Sequence, residues 1–345
     1  MNPLILPRWQ RASATALAFA ASIALGSAQQ PLVERVDVSR VLIDARVLDD
    51  HGSAVTGLGP SDFVVRIDGD STRVESVEWI EGRSDASADV AGFRGGREPR
   101  QTPGRLIVML VQKDLEPSRA VGLMATLQVV EPLLQQLRSD DRVAVLSFDS
   151  RLRAWTDFTD DVARVRAVLK SVLRERPPAI AATGIPSLFA RLDLSSARRT
   201  GSLERSLQMI GEALEPLPGA KSLVLLGYGF GRFNPSTLGV TLMDGYDEAR
   251  QALQGARTSV FSLNTTRAHF NSLQQGLQAV SAATGGFYAS TFEFPTRAIE
   301  RVVQALRGHY VLFVDKPPSR AGYRRIDVRL AERHGTVFAR SGYFD

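Results

Sequence analysis

The sequence predicts an α/β fold in which a doubly wound, mostly parallel sheet carries a flanking antiparallel β module. Two patterns lead to this prediction. From Arg105 to about residue 308, short apolar runs alternate with helical runs, which is typical of parallel strands joined by right-handed helical crossovers. The segments before and after that region alternate apolar and polar residues, which indicates antiparallel strands with one buried face. The predicted order along the chain is therefore β, linker, α/β and β.

Residues 1–28 have the pattern of a secretory signal peptide. Arg8 and Arg11 form a basic start, an alanine-rich apolar stretch covers residues 12–25, and small residues end the segment, as in signal peptides. The apolar stretch is shorter than the roughly 20 residues that span a bilayer. We expect cleavage near Ala28 and export to the periplasm or the extracellular space, with no stable membrane span afterwards. A retained anchor is the alternative.

Composition excludes several classes of function. The 345 residues contain no cysteine, so disulfides, thiolate metal sites and cysteine nucleophiles are excluded. The formal charge of +5 is modest, and the arginines are dispersed rather than clustered. A nucleic-acid interface would show a basic stripe with stacking aromatic residues. We therefore expect no nucleic-acid partner.

Two β segments flank the α/β region. Residues 32–80 contain strand-like runs with turn signals at 50–52 and 68–69, and such turns are typical of hairpins. Residues 309–345 contain three further strand-like runs. Either segment alone has too few strands for a two-sided core, so we expect the two segments to pack together as one sandwich-like module. Residues 81–104 are rich in Gly, Ser, Pro and charge and are predicted to be a flexible linker.

The α/β region, residues 105–308, has core strands and helices in alternation. The predicted core strands are Leu106–Val111, Arg142–Phe148, Ser222–Gly227, Thr258–Leu263 and Phe287–Ala289. Helices are predicted near 118–137, 160–174, 202–214, 245–254, 270–283 and 296–306. The run RLRAWTDFT after the second core strand is predicted to add a short antiparallel edge strand.

Signatures of catalysis are missing from the sequence, which has neither G-x-S-x-G nor H-E-x-x-H spacing, the patterns of a serine nucleophile and of a zinc protease. The stretch GYGFG follows a strand, as a dinucleotide-binding loop does. It runs into Asn234 and Pro235 instead of a helix. We therefore expect a non-catalytic protein with no catalytic residues and no nucleotide cofactor.

A polar cluster follows the first strand of the α/β region. The stretch QKDLEPS places Gln112, Asp114, Glu116 and Ser118 at or just beyond the carboxyl end of that strand. Open α/β sheets bind ligands in the crevice at the carboxyl ends of their strands. This edge of the sheet is where we expect a binding site.

Several motifs resemble those of von Willebrand factor A domains, most closely the bacterial group described as von Willebrand factor A-related. They are RLIVMLV, SDDRVAVLSFDSRLRAWTDFT, ATGIPSLFARL, KSLVLLGYG, TSVFSLNT and LQAVSAATGGFYAS. The flanking segments VDVSRVLIDARVLDDHGSAVTGLGPSDFVVRIDG and YRRIDVRLAERHGTVFARSGYF resemble the terminal β segments of that group. The resemblance implies a Rossmann-like fold and a role in protein interaction or adhesion.

The resemblance also implies a Mg²⁺ site at the same edge, formed by D-x-S-x-S, a Thr of a second loop and a later Asp. Gln112 stands at the first Asp position and Tyr228 at the later Asp position. Thr183 fits the Thr position, with Ser187 as a substitute. A shifted register makes DLEPS a D-x-E-x-S, so the four candidate ligands are Asp114, Glu116, Ser118 and Thr183. Because Mg²⁺ depends on carboxylate ligands, we expect a degenerate site that does not bind the ion.

These observations predict an exported, non-catalytic protein that binds another protein through the carboxyl edge of its sheet. The residues expected to form this binding edge are Gln112, Asp149, Ser187, Tyr228 and Phe230. Two alternatives stay open. One is a hydrolase-like enzyme that uses the carboxylates of Asp114, Glu116 and Asp149 at the same edge. The other is a structural subunit of an envelope complex.

Overall fold

The structure is a computed structural model and describes residues 40–81, 104–173, 177, 186–219, 221–237, 239–268, 271–317, 321–332 and 335–345. The predicted signal peptide and nearly all of the predicted linker lie outside these ranges. Within them, no helix combines the length and the hydropathy of a bilayer span.

Strands and helices alternate through the central part of the chain. The strands are β1 (Arg40–Leu48), β2 (Phe63–Ile67), β3 (Asp70–Thr72), β4 (Val74–Ile80), β5 (Leu106–Gln112), β6 (Arg142–Phe148), β7 (Leu152–Thr159), β8 (Lys221–Gly227), β9 (Arg232–Asn234), β10 (Gly239–Thr241), β11 (Thr258–Asn264), β12 (Tyr288–Ser290), β13 (His309–Asp315), β14 (Tyr323–Leu330), β15 (Thr336–Ala339) and β16 (Gly342–Phe344). The helices are α1 (Pro117–Gln128), α2 (Glu131–Gln135), α3 (Val162–Ser171), α4 (Leu194–Ala197), α5 (Leu203–Leu214), α6 (Tyr246–Gly255), α7 (Gln274–Thr284) and α8 (Pro295–Leu306).

A six-stranded sheet with the order β12-β11-β8-β5-β6-β7 forms the centre of the α/β region. β5 pairs in parallel with β6 and β8, and β11 pairs in parallel with β8 and β12. β7 is antiparallel to β6 at the edge. Counted along the chain, the order is that of a doubly wound sheet. The predicted fold class and the predicted antiparallel edge strand are both confirmed.

Helices cover both faces of this sheet, which explains why β5 is apolar over nearly its whole length. Leu106, Val108 and Leu110 pack into the core formed with α5, α6 and α7. The alternate residues Ile107 and Met109, like Val111, pack into the core on the opposite face with α1, α2, α3 and α8. β5 therefore lies at the centre of the sheet and carries its polar end, Gln112, to the carboxyl edge.

The helix predicted over residues 118–137 is two helices, α1 and α2. The break falls at Val129 and Val130, just before Glu131 and Pro132. Proline has no N–H to bond the carbonyl four residues earlier and its ring clashes with that turn, so the first helix ends and a second one begins with Pro132 in its first turn. The hairpin of β9 and β10 was also not predicted, because its strands are only three residues long.

The two β segments pair directly with each other. One sheet has the order β15-β1-β13-β4 and the other has the order β16-β14-β2-β3, so each combines strands from both ends of the described chain. Ile43, Val65, Tyr310 and Leu312 share the core between them. Val38–Asp345 forms one compact unit, and the domain boundaries expected from the sequence stay a prediction.

A buried charged cluster joins this β module to the amino ends of the parallel strands. The Asp44 carboxylate of β1 accepts a hydrogen bond of 2.9 Å from Arg257, which precedes β11, and lies 3.6 Å from His309 Nε2. Arg46 donates to the Ser259 hydroxyl at 2.6 Å. Burial lowers the pKa of His309 to about 4, although the Asp44 charge acts in the opposite direction.

Candidate functional site

Gln112 holds the carboxyl ends of β5 and β8 together. Its side-chain oxygen accepts the N–H groups of Tyr228 and Gly229, both at 3.1 Å, and its side-chain nitrogen donates to the Gly229 carbonyl at 2.7 Å. The contact is close, because a Cβ at Gly227 would lie 2.4 Å from the Gln112 oxygen. Gln112, which stands at the first Asp position of the Mg²⁺ motif, thus forms these hydrogen bonds with the loop after β8.

Glu116 is the N-cap of α1. Its carboxylate accepts the N–H groups of Ser118 at 3.1 Å and Arg119 at 3.0 Å, and it also accepts the Ser118 hydroxyl. These hydrogen bonds, that of the Ser118 hydroxyl first, lower the pKa of Glu116. Negative charge at a helix N-terminus is favourable because it satisfies free N–H groups. The Ser118 and Glu116 oxygens therefore serve the helix end.

Asp114 is paired with Arg119. The guanidinium of Arg119 donates to one carboxylate oxygen of Asp114, and the other oxygen accepts the N–H of Glu116 at 3.2 Å. Partial burial acts to raise the pKa of Asp114, but these hydrogen bonds outweigh it and lower the pKa below its usual value. The carboxylate is thus held ionised by a cation of the chain itself.

Tyr228 lies beside this ion pair, at the position of the later Asp of the Mg²⁺ motif. The Arg119 guanidinium lies 4.1 Å from the centroid of its ring, which is a cation–π contact. Burial and the nearby Asp114 charge raise the pKa of the Tyr228 phenol. Asn271 donates to the Tyr228 carbonyl, so the loop is fixed on both sides.

Asp149 belongs to a second charged group at the same edge. Its carboxylate lies 2.8 Å from Arg153 Nε and 3.4 Å from Lys113 Nζ. Lys113 also donates to the Val172 carbonyl at 3.1 Å and lies 5.6 Å from the ring centroid of Trp155. The edge thus carries two local ion-pair groups, one centred on Asp114 and one on Asp149.

Two residues expected at the binding edge are instead structural. The Ser187 hydroxyl donates to Asp157 at 2.5 Å and accepts the Ala190 N–H at 3.0 Å, so it ties its loop to β7. Phe230 is only 4% exposed and belongs to the core against α7. The expectation that Phe230 forms part of the binding edge is therefore corrected, because its ring is buried. Thr183 lies outside the described residues.

The sequence reading missed the exposed apolar side chains beside the polar cluster. Leu115 is 96% exposed, and Val121 and Met124 of α1 are nearly half exposed. The leucine of QKDLEPS was the available signal of an exposed apolar side chain, because its charged neighbours in the sequence do not explain an apolar residue there.

A cleft of about 1160 Å³ opens beside these residues. It lies between α1, α2 and α3, and Lys113, Asp114, Asp149 and Tyr228 form its mouth at the carboxyl edge. The cleft connects the predicted binding edge to a surface along the helices that the sequence did not reveal.

The donor set of this edge does not fit a Mg²⁺ ion. Gln112, Asp114 and Glu116 all use their oxygens on donors of the chain, and Lys113 and Arg119 add positive charge. Among the described residues, no group of three or more His, Asp or Glu side chains is arranged to hold a metal.

No family model and no curated protein matches the chain. The solved structure of the conserved hypothetical protein BatB from Bacteroides thetaiotaomicron is 14% identical, with a TM-score of 0.38, over 59% of this chain and 97% of that one. The vWF domain of the type V pili tip protein Mfa5 from Porphyromonas gingivalis is 13% identical, with a TM-score of 0.37, over 59% and 95%. A von Willebrand factor type A protein from Catenulispora acidiphila is 9% identical, with a TM-score of 0.40, over 89% and 75%.

At these values the likenesses carry no conclusion about function. The six-stranded sheet has an antiparallel strand, β7, at its edge. Together with the sequence motifs, this strand order describes a von Willebrand factor A-like fold.

Proposed function

We propose that the chain is an exported, non-catalytic protein that binds another protein through the carboxyl edge of its six-stranded sheet, without a metal ion. One observation carries the proposal. Of seven exposed large apolar side chains in the described ranges, three lie on α1 or just before it, near this edge: Leu115, Val121 and Met124. Apolar surface concentrated in one place marks an interaction site, and the cleft beside it supplies concave surface.

Metal-independent binding is supported by the contacts of the edge. An ion that took Asp114 as a ligand would have to displace Arg119, and an ion on Glu116 would uncap α1. Mg²⁺ gives up its water ligands reluctantly, so neutral amides and already paired carboxylates are a poor replacement for them. The partner would instead meet apolar side chains and the cations of the edge.

The enzyme alternative loses support from the same contacts. A carboxyl group that acts as a general acid near neutral pH needs a raised pKa, whereas the pKa values of Asp114 and Glu116 are lowered. Asp149 is paired with Arg153 and Lys113. The structural-subunit alternative differs from the proposal only in how permanently the partner is bound.

Partner capture from the native envelope tests the proposal. Leu115→Asp places a charge on the exposed apolar patch and should reduce capture by about tenfold or more, the size expected when a central apolar contact of an interface is lost. The matched control is Val64→Asp, on the exposed side of β2 in the β module, where Val64 is 38% exposed. Capture should be equal with and without EDTA. Unchanged capture by Leu115→Asp would contradict the proposed edge.

Export is a separate part of the proposal and rests on residues 1–28. Mass spectrometry of the amino terminus of the native protein should find a start close to Gln29. An intact Met1 in the membrane fraction would contradict it.

A further inference from the structure

The cleft beside the carboxyl edge is walled by two helical stripes. α1 contributes Ala120, Leu123, Met124 and Leu127 to one wall. α3 and the turn that follows it contribute Arg166, Leu169, Lys170 and Leu173 to the other. Both sets repeat at i, i+3, i+4 and i+7, the spacing of one face of an α-helix. Val130 and Leu134 lie between them.

This geometry suits a helix better than a small molecule. Side chains of helices pack as ridges into the grooves between neighbouring side chains, so two facing stripes leave room for a third helix whose apolar residues have the same spacing. A volume of about 1160 Å³ is above the range of roughly 300 to 1,000 Å³ that is usual for small ligands. The part of the α1 stripe that a helix could contact is Met124, which is 44% exposed, with Ala120 and Leu127 partly exposed and Leu123 buried beneath them.

The charges of the cleft indicate which charge the polar face of its occupant carries. Four basic side chains line it, Lys113, Arg153, Arg166 and Lys170, against three acidic ones, Asp114, Asp149 and Glu131. The three acids are already paired with arginines, Asp114 with Arg119, Asp149 with Arg153 and Glu131 with Arg166. Lys170 is exposed, one turn along α3 from Arg166, and forms no ion pair within the described residues. Arg166 is held by Glu131 through two hydrogen bonds, so an occupant with an acidic residue facing Lys170 complements this wall.

We propose that the cleft between α1 and α3 binds an amphipathic helix of the partner protein, with apolar residues at i, i+3, i+4 and i+7 against α1 and an acidic residue against Lys170. This inference deepens the proposed function and rests on it. Leu115, at the mouth of the cleft, contacts the partner beyond the end of that helix.

Designed peptides test the helical occupant on the purified exported chain. The probe is a fluorescein-labelled amphipathic peptide of eighteen residues with leucines at the stated spacing and glutamates on one flank. A second peptide carries lysines in place of the glutamates, and a third has a central proline that breaks the helix. Fluorescence anisotropy should show saturable binding of the first peptide and affinity lower by at least about tenfold for the other two, a difference of about 1.4 kcal/mol.

Matched variants locate the binding. Met124→Glu and Lys170→Glu change side chains that line the cleft, whereas Ala125→Glu and Arg164→Glu change side chains on the same helices that do not. Only the first two should weaken the glutamate peptide, and Lys170→Glu should improve binding of the lysine peptide. Equal effects of Met124→Glu and Ala125→Glu would overturn the proposal.

The remaining outcomes separate the two proposals. Binding of the proline peptide as tightly as the helical one, or displacement of the helical peptide by decanoate below its micellar concentration, would replace the helix with another occupant and overturn the inference. Absence of peptide binding while Leu115→Asp abolishes partner capture overturns only the helical occupant. If Leu115→Asp leaves capture unchanged, the proposed function itself fails.

Discussion

The two ends of the parallel sheet carry similar ion pairs in different settings. At the amino end, the side chains of the Asp44 and Arg257 pair are 19% and 35% exposed, but they lie beside Arg46 and His309, which are only 5% and 6% exposed. At the carboxyl end, the side chains of the Asp114 and Arg119 pair are 27% and 26% exposed. A buried charge such as that of Arg46 needs its neighbouring anion because an unpaired charge in the interior is costly, whereas a partly exposed pair contributes little and can exchange with water. The pair at the amino end therefore supports buried groups, and the pair at the carboxyl end is the one that the proposed partner would meet.

The largest effect is expected from Asp44→Asn, which tests the buried end. Asp44 is the acid that faces Arg257 and the buried Arg46, so its loss leaves both cations without their neighbouring anion. Because Arg257 is 35% exposed, we expect a loss of about 3 kcal/mol in the free energy of unfolding, the low end of the range for a buried pair, measured by urea denaturation at pH 7. Asp247→Asn breaks an exposed pair with Arg250, in which Asp247 is 71% exposed, and should cost less than about 1 kcal/mol. Equal losses would break the contrast between the ends.

The second prediction concerns the pH dependence of the same cluster. The pKa of His309 is about 4 in the folded chain and 6.5 as its ordinary value. Between these pH values the unfolded chain binds a proton that the folded chain does not. Stability should therefore fall by about 3 kcal/mol as the pH drops from 6.5 to 4, and this group should add no further loss below that.

Urea denaturation from pH 7 to pH 4 measures this slope. His309→Gln should flatten it, whereas His51→Gln, in an exposed turn, should leave it unchanged. A slope that survives His309→Gln would assign the pH dependence to other groups. The lowered pKa of Asp44, which Arg257 holds down against burial, adds a separate loss that begins only below its ordinary value of 3.8.

A smaller effect is expected from Gln112→Ala at the carboxyl end. The variant leaves the N–H groups of Tyr228 and Gly229 and one carbonyl without their side-chain partner, at a cost of about 2 kcal/mol. Gln128→Ala, on the exposed side of α1, should change stability by less than about 0.5 kcal/mol. Equal midpoints for the two variants in urea would show that the Gln112 contacts do not hold the loop.

The smallest effect, none at all, is expected from Mg²⁺. Calorimetric titration with millimolar Mg²⁺ or Mn²⁺ should give no saturable heat, and thermal unfolding should not shift, because a ligand stabilises a protein only when it binds the folded state. The Asp114 and Glu116 oxygens are already in use. Saturable heat that disappears in Asp114→Ala would show that this edge binds a metal ion and would contradict the stated difference between the two ends of the sheet.

Sequence patterns located the polar residues at the ends of the strands, but not how deeply each side chain is buried. The apolar run of β5 ends at Gln112, as expected, because strand length and polarity are local properties. Phe230 follows the strand β8 in a similar way, yet it turns inward against Gly276 of α7, where a Cβ would lie 2.9 Å from its ring. Ser187 turns toward Asp157. Neither partner is near in sequence, so exposure could not be read from the motif.

The sequence by itself determined the order of strands and helices, the doubly wound sheet and the absence of cysteine chemistry, because hydrophobic period and turn residues act over a few neighbours. Only the tertiary structure decided which charges are buried and which apolar side chains stay exposed. Asp44 meets Arg257 across 213 positions, and the stripes of α1 and α3 form a cleft only because no other described element fills the space between them. Burial depends on contacts between distant segments, and a local pattern carries no record of which segment comes to lie against it.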